Sequence, residues 1–291
     1  MPEIQKIHAV EPHPFEQADP PVQTDDKQHF QKMKNSFFPR ASISNKSYVS
    51  LGVSGFLIVL LAWCILTYGG FVDKLFLPTP AEIIQSAVDL FTKLNFLNDI
   101  WVTILRVLAG FVLAAIVAVP LGILLGTYKP VEGFLEPLMS FVRYLPASAF
   151  IPLFILWIGV SEPQKIAVIF IGSFPQLILM VAAATKSVQS ELIDVSYTLG
   201  TTRTNVLWHV ILPASMPSIM SSLRMILGWA WTYIIVAELV GASSGIGYVI
   251  IQSQRMLNTA NIFVGILVIG LIGLIFDYVF KWLTKLLFPW S

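Results

Sequence analysis

Apolar residues in this chain gather into long runs divided by short polar clusters. Six of the runs are long enough to cross a bilayer as helices: approximately Leu51 to Gly69, Trp101 to Gly126, Gly133 to Val160, Lys165 to Ala184, Pro217 to Val240 and Asn261 to Thr284. A spanning helix takes about 20 apolar residues, because lipid offers no partner for an unpaired backbone amide. Barrel strands would alternate apolar and polar positions over about 10 residues, and these runs do not alternate. The pattern predicts an all-α integral membrane protein with six transmembrane helices.

The shorter patterns lie between the runs. In LPTPAEIIQSAVDLFTKL, Thr79 can cap a helix, Pro80 suits its first position and Glu82 completes a capping box. Ile83, Ile84, Ala87, Val88 and Phe91 then share one face, opposite Glu82, Gln85, Ser86 and Asp89. This predicts an amphipathic helix from Pro80 to Lys93 lying at the outer membrane surface, with Ile83, Ile84 and Val88 toward the membrane. The loop from Lys186 to Ser215 carries SELIDVSYTLG, a helix with Ser190 as cap, Leu192, Val195 and Leu199 on one face and Gly200 as stop. A second helical stretch through Val206, Leu207 and Val210 is expected to end before Pro213. A polar helix pair of this kind at a membrane surface suits docking onto another protein. In the third run, Pro137, Pro146 and Pro152 each remove a backbone donor, so that helix is expected to be kinked or locally opened, either for packing or to line a pore. Gly122 and Gly126 form a GxxxG pair, read as a close helix contact.

Composition agrees with the membrane reading: 56% of the 291 residues are hydrophobic and 12% charged, against about 25% charged in soluble domains. A net charge of +1 without a concentrated basic face argues against a nucleic-acid partner. Cys64 is the only cysteine and lies in an apolar run, which excludes an internal disulfide. Residues 1–48 are polar, proline-rich and aperiodic and are expected to form a disordered cytoplasmic tail before a membrane domain spanning 49–291. No removable signal peptide is seen. With the N-terminus inside, Lys and Arg divide eleven to four in favour of the cytoplasm, nine to four once the distant Lys6 and Lys27 are set aside, which predicts both termini cytoplasmic.

Few residues offer chemistry. No GxxxxGK[ST] phosphate loop, HExxH pair or GxSxG elbow occurs, His209 is isolated, and the other histidines, His8, His13 and His29, fall in the tail. The ionisable residues within or at the rim of the spans are Arg106, Arg143, Arg224, Glu238 and Asp277. A charge at mid-bilayer costs at least about 2.5–3.5 kcal/mol, so each should face protein or water. Arg143, beside Tyr144 and near Ser148 in the proline-rich span, can meet an anion or pair with a carboxylate such as Glu238. Arg224 and Asp277 sit near the cytoplasmic ends and can snorkel. Trp229 and Trp231 lie away from the interfacial belt, in core packing or along a solute path. The candidate path is thus Arg143, Tyr144, Ser148, Trp229 and Glu238.

Asp194, Val195 and Ser196, then Gly200, Val210, Leu212 and Pro213, resemble the E-A-A-x3-G-x9-I-x-L-P loop of binding-protein-dependent ABC transporter permeases in spacing throughout. Asp replaces Glu, and Val and Ser replace the two alanines. The segments LPTPAEII, RYLPASAFIPLFILWIGV and AELVGASSGIGYVI are similar to the nitrate, sulfonate, taurine and bicarbonate branch of that family. The resemblance implies a type I importer fold at the bacterial inner membrane. It further implies two ATPase subunits that bind ATP and Mg and grip the EAA-like loop, a second permease copy, and a periplasmic or lipid-anchored solute-binding protein. No cofactor is expected in this chain and the permease is not itself an enzyme. A pyrimidine-precursor or riboflavin-like solute is the alternative cargo. A membrane-embedded enzyme would need clustered acids or histidines, and a secondary carrier would predict inverted repeats; neither is seen.

Overall fold

The computed structural model describes residues 44–290; all of the expected tail before residue 44 lies outside the described residues. The chain divides into two compact units at Ala62 and Trp63. The first contains most of helix α1, Asn45–Tyr68, which begins inside the segment expected to be unstructured. Its side chains Val53, Phe56, Leu57, Ile58 and Val59 are all exposed, an apolar surface of the kind that lipid covers.

The regular elements of the second unit are all helices among the described residues: α2 Pro80–Lys93, α3 Phe96–Thr127, α4 Lys129–Val142, a 3-10 turn Ala147–Phe150, α5 Ile151–Ile158, α6 Glu162–Lys186, α7 Ser190–Thr198, α8 Arg203–Val206 with a π turn Leu207–Ile211, α9 Leu212–Leu239, α10 Ile246–Arg255 and α11 Thr259–Leu287. The capping box of α2 is formed: the Thr79 hydroxyl accepts from the Glu82 amide at 3.2 Å and the Glu82 carboxylate accepts from the Thr79 amide at 2.8 Å. That amide is the main reason the Glu82 carboxyl is held below the usual glutamate range. Ile84, Val88 and Phe91 are exposed, but Ile83 is buried with Leu90 against the bundle, which corrects its expected place on the membrane face.

The bundle is built on a seam between α3 and α6. A Cβ on Gly110, Gly122 or Gly126 would meet the side chain of Ile169, Val181 or Thr185 respectively at 2.6 Å, and each pair is 59 positions apart in the sequence. A constant offset means that the two helices run parallel in fixed register. Because lipid gives no hydrophobic drive for helices to associate, the close approach that small residues permit is what holds such a pair. Helix α9 packs across both, with Leu227, Ala230 and Ile234 buried.

Five helical runs are long and apolar enough to cross alone, and the pair α4 and α5, bent by 83°, makes a sixth when counted as one broken span. The sequence predicts opening at three prolines, but the chain breaks only at Pro146. Leu145 before it lies in a bend, since a residue preceding proline is disfavoured in the helical region, whereas Pro152 sits in the first turn of α5, where its missing donor costs nothing. Pro137 remains inside α4. Two further expectations are corrected. Ser190 does not cap α7; it is the first helical residue, after Gln189. The helix after residue 203 does not stop at Pro213, because the π turn carries it into α9. The Leu212 amide bonds to the Leu207 carbonyl, five residues back, just before the proline that has no amide to place. Helix α10 was absent from the sequence reading, being short and only moderately apolar.

The seam supplies a test. Gly122→Ala gains up to about 1 kcal/mol of helix propensity, but its Cβ would lie 2.8 Å from the Ile178 carbonyl, and backbone cannot move aside as a side chain can. Overpacking costs typically about 1–3 kcal/mol, so thermal unfolding in detergent should show Gly122→Ala less stable than the parent. Gly133→Ala, with nothing within 4 Å of its Cβ, should be as stable as the parent or more so.

Candidate functional site

At the end of the seam where α3 and α6 begin, Asp99, Thr103 and Arg106 form a polar stripe on an otherwise apolar helix at i, i+4 and i+7 spacing. Arg106 is almost completely buried and places all five guanidinium donors. Its Nε and Nη2 bond the two oxygens of Glu162, both at 2.5 Å. Nη1 bonds Glu238 at 2.7 Å and the Ser244 carbonyl at 2.8 Å, and Nη2 also reaches the Ser244 hydroxyl at 3.3 Å. Glu238 is fully buried and further accepts from the Thr103 hydroxyl at 2.9 Å and the Gly247 amide at 2.8 Å. Lys165, also buried, lies 3.6 Å from Glu162 and donates to the Ser161 carbonyl at 3.3 Å.

These side chains fix the turn between α9 and α10. Three successive amides at the start of α10 are capped from other helices: Gly245 by Asp99 at 2.7 Å, Ile246 by the Thr103 hydroxyl at 2.9 Å and Gly247 by Glu238. A helix start leaves such donors without intrahelical partners, and in an apolar setting they must be met by side chains. Gly245 has φ +112 and no room for a Cβ beside the Glu238 carboxylate, so glycine is required there.

The second candidate region is α7. None of its residues is buried; Leu192, Val195 and Leu199 stand out from the molecule with Asp194, while Ser196 is half-buried and bonds back to the Leu192 carbonyl at 2.7 Å. The helix ends in a Schellman motif: the Thr201 amide bonds the Ser196 carbonyl at 3.1 Å, the Gly200 amide bonds the Tyr197 carbonyl at 2.9 Å, and Gly200 has φ +79. Val210 and Leu212 are half-buried in and just after the π turn, and Pro213 is exposed.

The third region is the break between α4 and α5. Arg143 is exposed there and meets Tyr144, its guanidinium 4.9 Å from the ring centroid and its Nη2 donating to the Tyr144 hydroxyl at 3.1 Å. Ser148 lies exposed in the 3-10 turn, which packs against α9, the helix that carries the exposed Trp229. Glu238 does not belong with them. Its partner is Arg106, not Arg143, and being wholly enclosed it lines no surface of the chain. Trp231 is a core residue, 5.5 Å from the Phe276 ring. The sequence reading placed Arg106 among the interior charges but missed Asp99, Thr103, Glu162 and Gly245. The signal was the i, i+4, i+7 polar stripe, which needs a partner to be recognised as a site.

Removing one member of a buried ion pair strands the other charge and typically costs about 3–5 kcal/mol. Arg106→Met should therefore lower the melting temperature of the purified chain and speed amide exchange at Gly245 to Gly247. Glu238→Gln, which removes the charge but keeps one carbonyl oxygen to accept from Arg106 and Thr103, should do so less. A melt for Arg106→Met like that of the parent would remove this network as a structural anchor.

Residues 118–290 match the family described as "Binding-protein-dependent transport system inner membrane component". A probable ABC transporter permease protein of Brucella abortus (strain 2308) is 35% identical over 84% of this chain and 96% of its own length. The taurine transport system permease protein of Escherichia coli (strain K12) is 30% identical over 83% and 90%, and a putative aliphatic sulfonates transport permease protein of Bacillus subtilis (strain 168) 32% over 80% and 84%. In fold, the chain is similar to the MetNI methionine ABC transporter in an inward-facing conformation, with a TM-score of 0.54 at 19% identity over 64% of this chain and 94% of that one. The family match over more than half of the chain and these likenesses show that the chain belongs to the family of binding-protein-dependent transport system inner membrane components, the permeases of ABC importers.

Proposed function

We propose that this permease forms the pathway by which a small anion, of the nitrate, bicarbonate, sulfonate or taurine kind, passes from an external binding protein into the cytoplasm. Two copies of the chain enclose the path and two separate ATPases, which bind ATP and Mg, drive it by alternating access. The observation that carries this reading is α7, a helix with no buried residue. An isolated helix of nine residues is unstable in water without packing, so this one is suited to the groove of another protein. The charge bias of the loops supports a cytoplasmic α7, the side where ATPases work. At the other end, the Arg106 network makes a rigid plate joining α3, α6, α9 and α10. Motion is then left to the α7 end and to the broken α4–α5 element. The relatives named for nitrate and bicarbonate transport support an anion as cargo, and the one named for taurine supports a solute that carries a sulfonate.

Coupling is tested at Gly200. A Cβ there meets nothing within 4 Å, so a substitution acts through the backbone alone, and a β-branched residue at φ +79 costs about 1–2 kcal/mol. Gly200→Val should insert and fold normally yet lose its ATPases on purification and abolish uptake. A variant that keeps both disproves the coupling role. The anion is tested at Arg143, whose charge has no carboxylate partner among the described residues. Arg143→Gln in an assembled transporter should weaken solute affinity or slow uptake by about tenfold, which corresponds to the loss of one charge-assisted bond of roughly 1.5 kcal/mol. Unchanged uptake, or a neutral aromatic solute as cargo, excludes the anion reading.

A further inference from the structure

Arg224, Lys281 and Lys285 converge on a cleft of about 440 Å³ between α9 and α11, also lined by Ser221, Tyr278 and Trp282. Among the described residues one carboxylate serves this group: Asp277 lies 2.6 Å from Lys281 and 3.5 Å from Arg224. Lys285 has neither ion pair nor hydrogen bond among the described residues, so the three cations exceed the one anion by two charges. The cleft is therefore complementary to an anion and is not needed by the pathway described above.

Its surroundings identify the anion. On α11, Leu267, Leu271, Leu274, Tyr278 and Trp282 are each more than half exposed, and with Lys285 they follow one another every three or four residues along one helical face. That face reads aliphatic, then aromatic, then cationic, which is the order of a bilayer leaflet from tails to headgroups. Depth agrees: Trp282 is nine residues from Gly273 at the middle of α11, or about 13 Å at 1.5 Å per residue, close to the hydrocarbon half-thickness of about 15 Å. The Lys281 ammonium, 5.3 Å from the Tyr278 ring centroid, lies at headgroup level while the stripe below it offers a track for an acyl chain. We propose that this cleft binds the headgroup of an anionic phospholipid, with Arg224, Lys281 and Lys285 meeting the phosphate and the α11 stripe holding a tail. Basic pockets between transmembrane helices take anionic headgroups in this way.

The test uses the full-length chain in its assembled, delipidated transporter, titrated with phosphatidylglycerol or phosphatidylcholine in detergent, the lipids retained being counted by native mass spectrometry. The parent should retain phosphatidylglycerol in preference to phosphatidylcholine. Lys285→Gln, which breaks no contact in the fold, should weaken phosphatidylglycerol binding about fivefold, and Lys281→Gln with Lys285→Gln about 25-fold, from the attraction of each cation to an anionic surface. Arginine at both positions should keep the preference, and Lys129→Gln, at an exposed lysine of another helix, should leave it unchanged. Equal retention of the two lipids, or of phosphatidylglycerol by parent and double glutamine variant, overturns the proposal. So does release of the lipid by millimolar inorganic phosphate, which would mark a soluble-anion site. Binding to the isolated chain but not to the assembled transporter also overturns it, because a partner subunit would then cover this face.

Discussion

A bilayer leaves a buried charge two routes, complete satisfaction inside the protein or escape to water, and Arg106 takes the first. Each of its donors is occupied by α6, α9 or the turn after α9. The site works as a set, since Glu238 is neutralised only while Arg106 holds it, and Arg106 is oriented only while Glu162 grips one of its edges through two donors. The remaining acceptors of that set, Glu238, Thr103 and Asp99, are spent on the amides of α10. One guanidinium thereby sets the meeting point of three crossings and the start of a fourth helix.

The glycine seam makes that meeting possible. Arg106 reaches Glu162 because α3 and α6 run parallel at a separation where Gly110, Gly122 and Gly126 leave no room for a Cβ. Widening the seam by one methyl would displace the carboxylates from the guanidinium as well as loosen the packing. Small residues and the charge cluster are thus one device, since the first sets a distance that the second requires.

At the opposite end of α6 the design is reversed. Helix α7 has no core of its own, and its exit is fixed by a left-handed glycine instead of by packing. A helix end fixed by its own backbone leaves the side chains of the helix uncovered on the surface of the chain. The broken pair α4 and α5 lies between these extremes, with Pro146 fixing where the chain bends and the exposed Arg143 and Tyr144 placed at the bend.

Much of this was legible along the chain. Spans follow from apolar length, the α2 capping box from Thr79 and Glu82, the end of α7 from Gly200, and the close helix contact from Gly122 and Gly126, because each depends on residues within a turn or two of one another. The ionisable residues of the interior were visible as well, since any charge in such a run is costly wherever it points. Their partners were not. Pairing Glu238 with Arg106 instead of Arg143, turning Ile83 inward, and breaking the third crossing at Pro146 alone are decided between segments far apart in sequence. The pairing of Arg106 and Glu238 joins residues 132 positions apart. Local pattern determines that a polar group must be satisfied; only the packed arrangement of helices determines by which group, because that choice depends on distances no single segment contains.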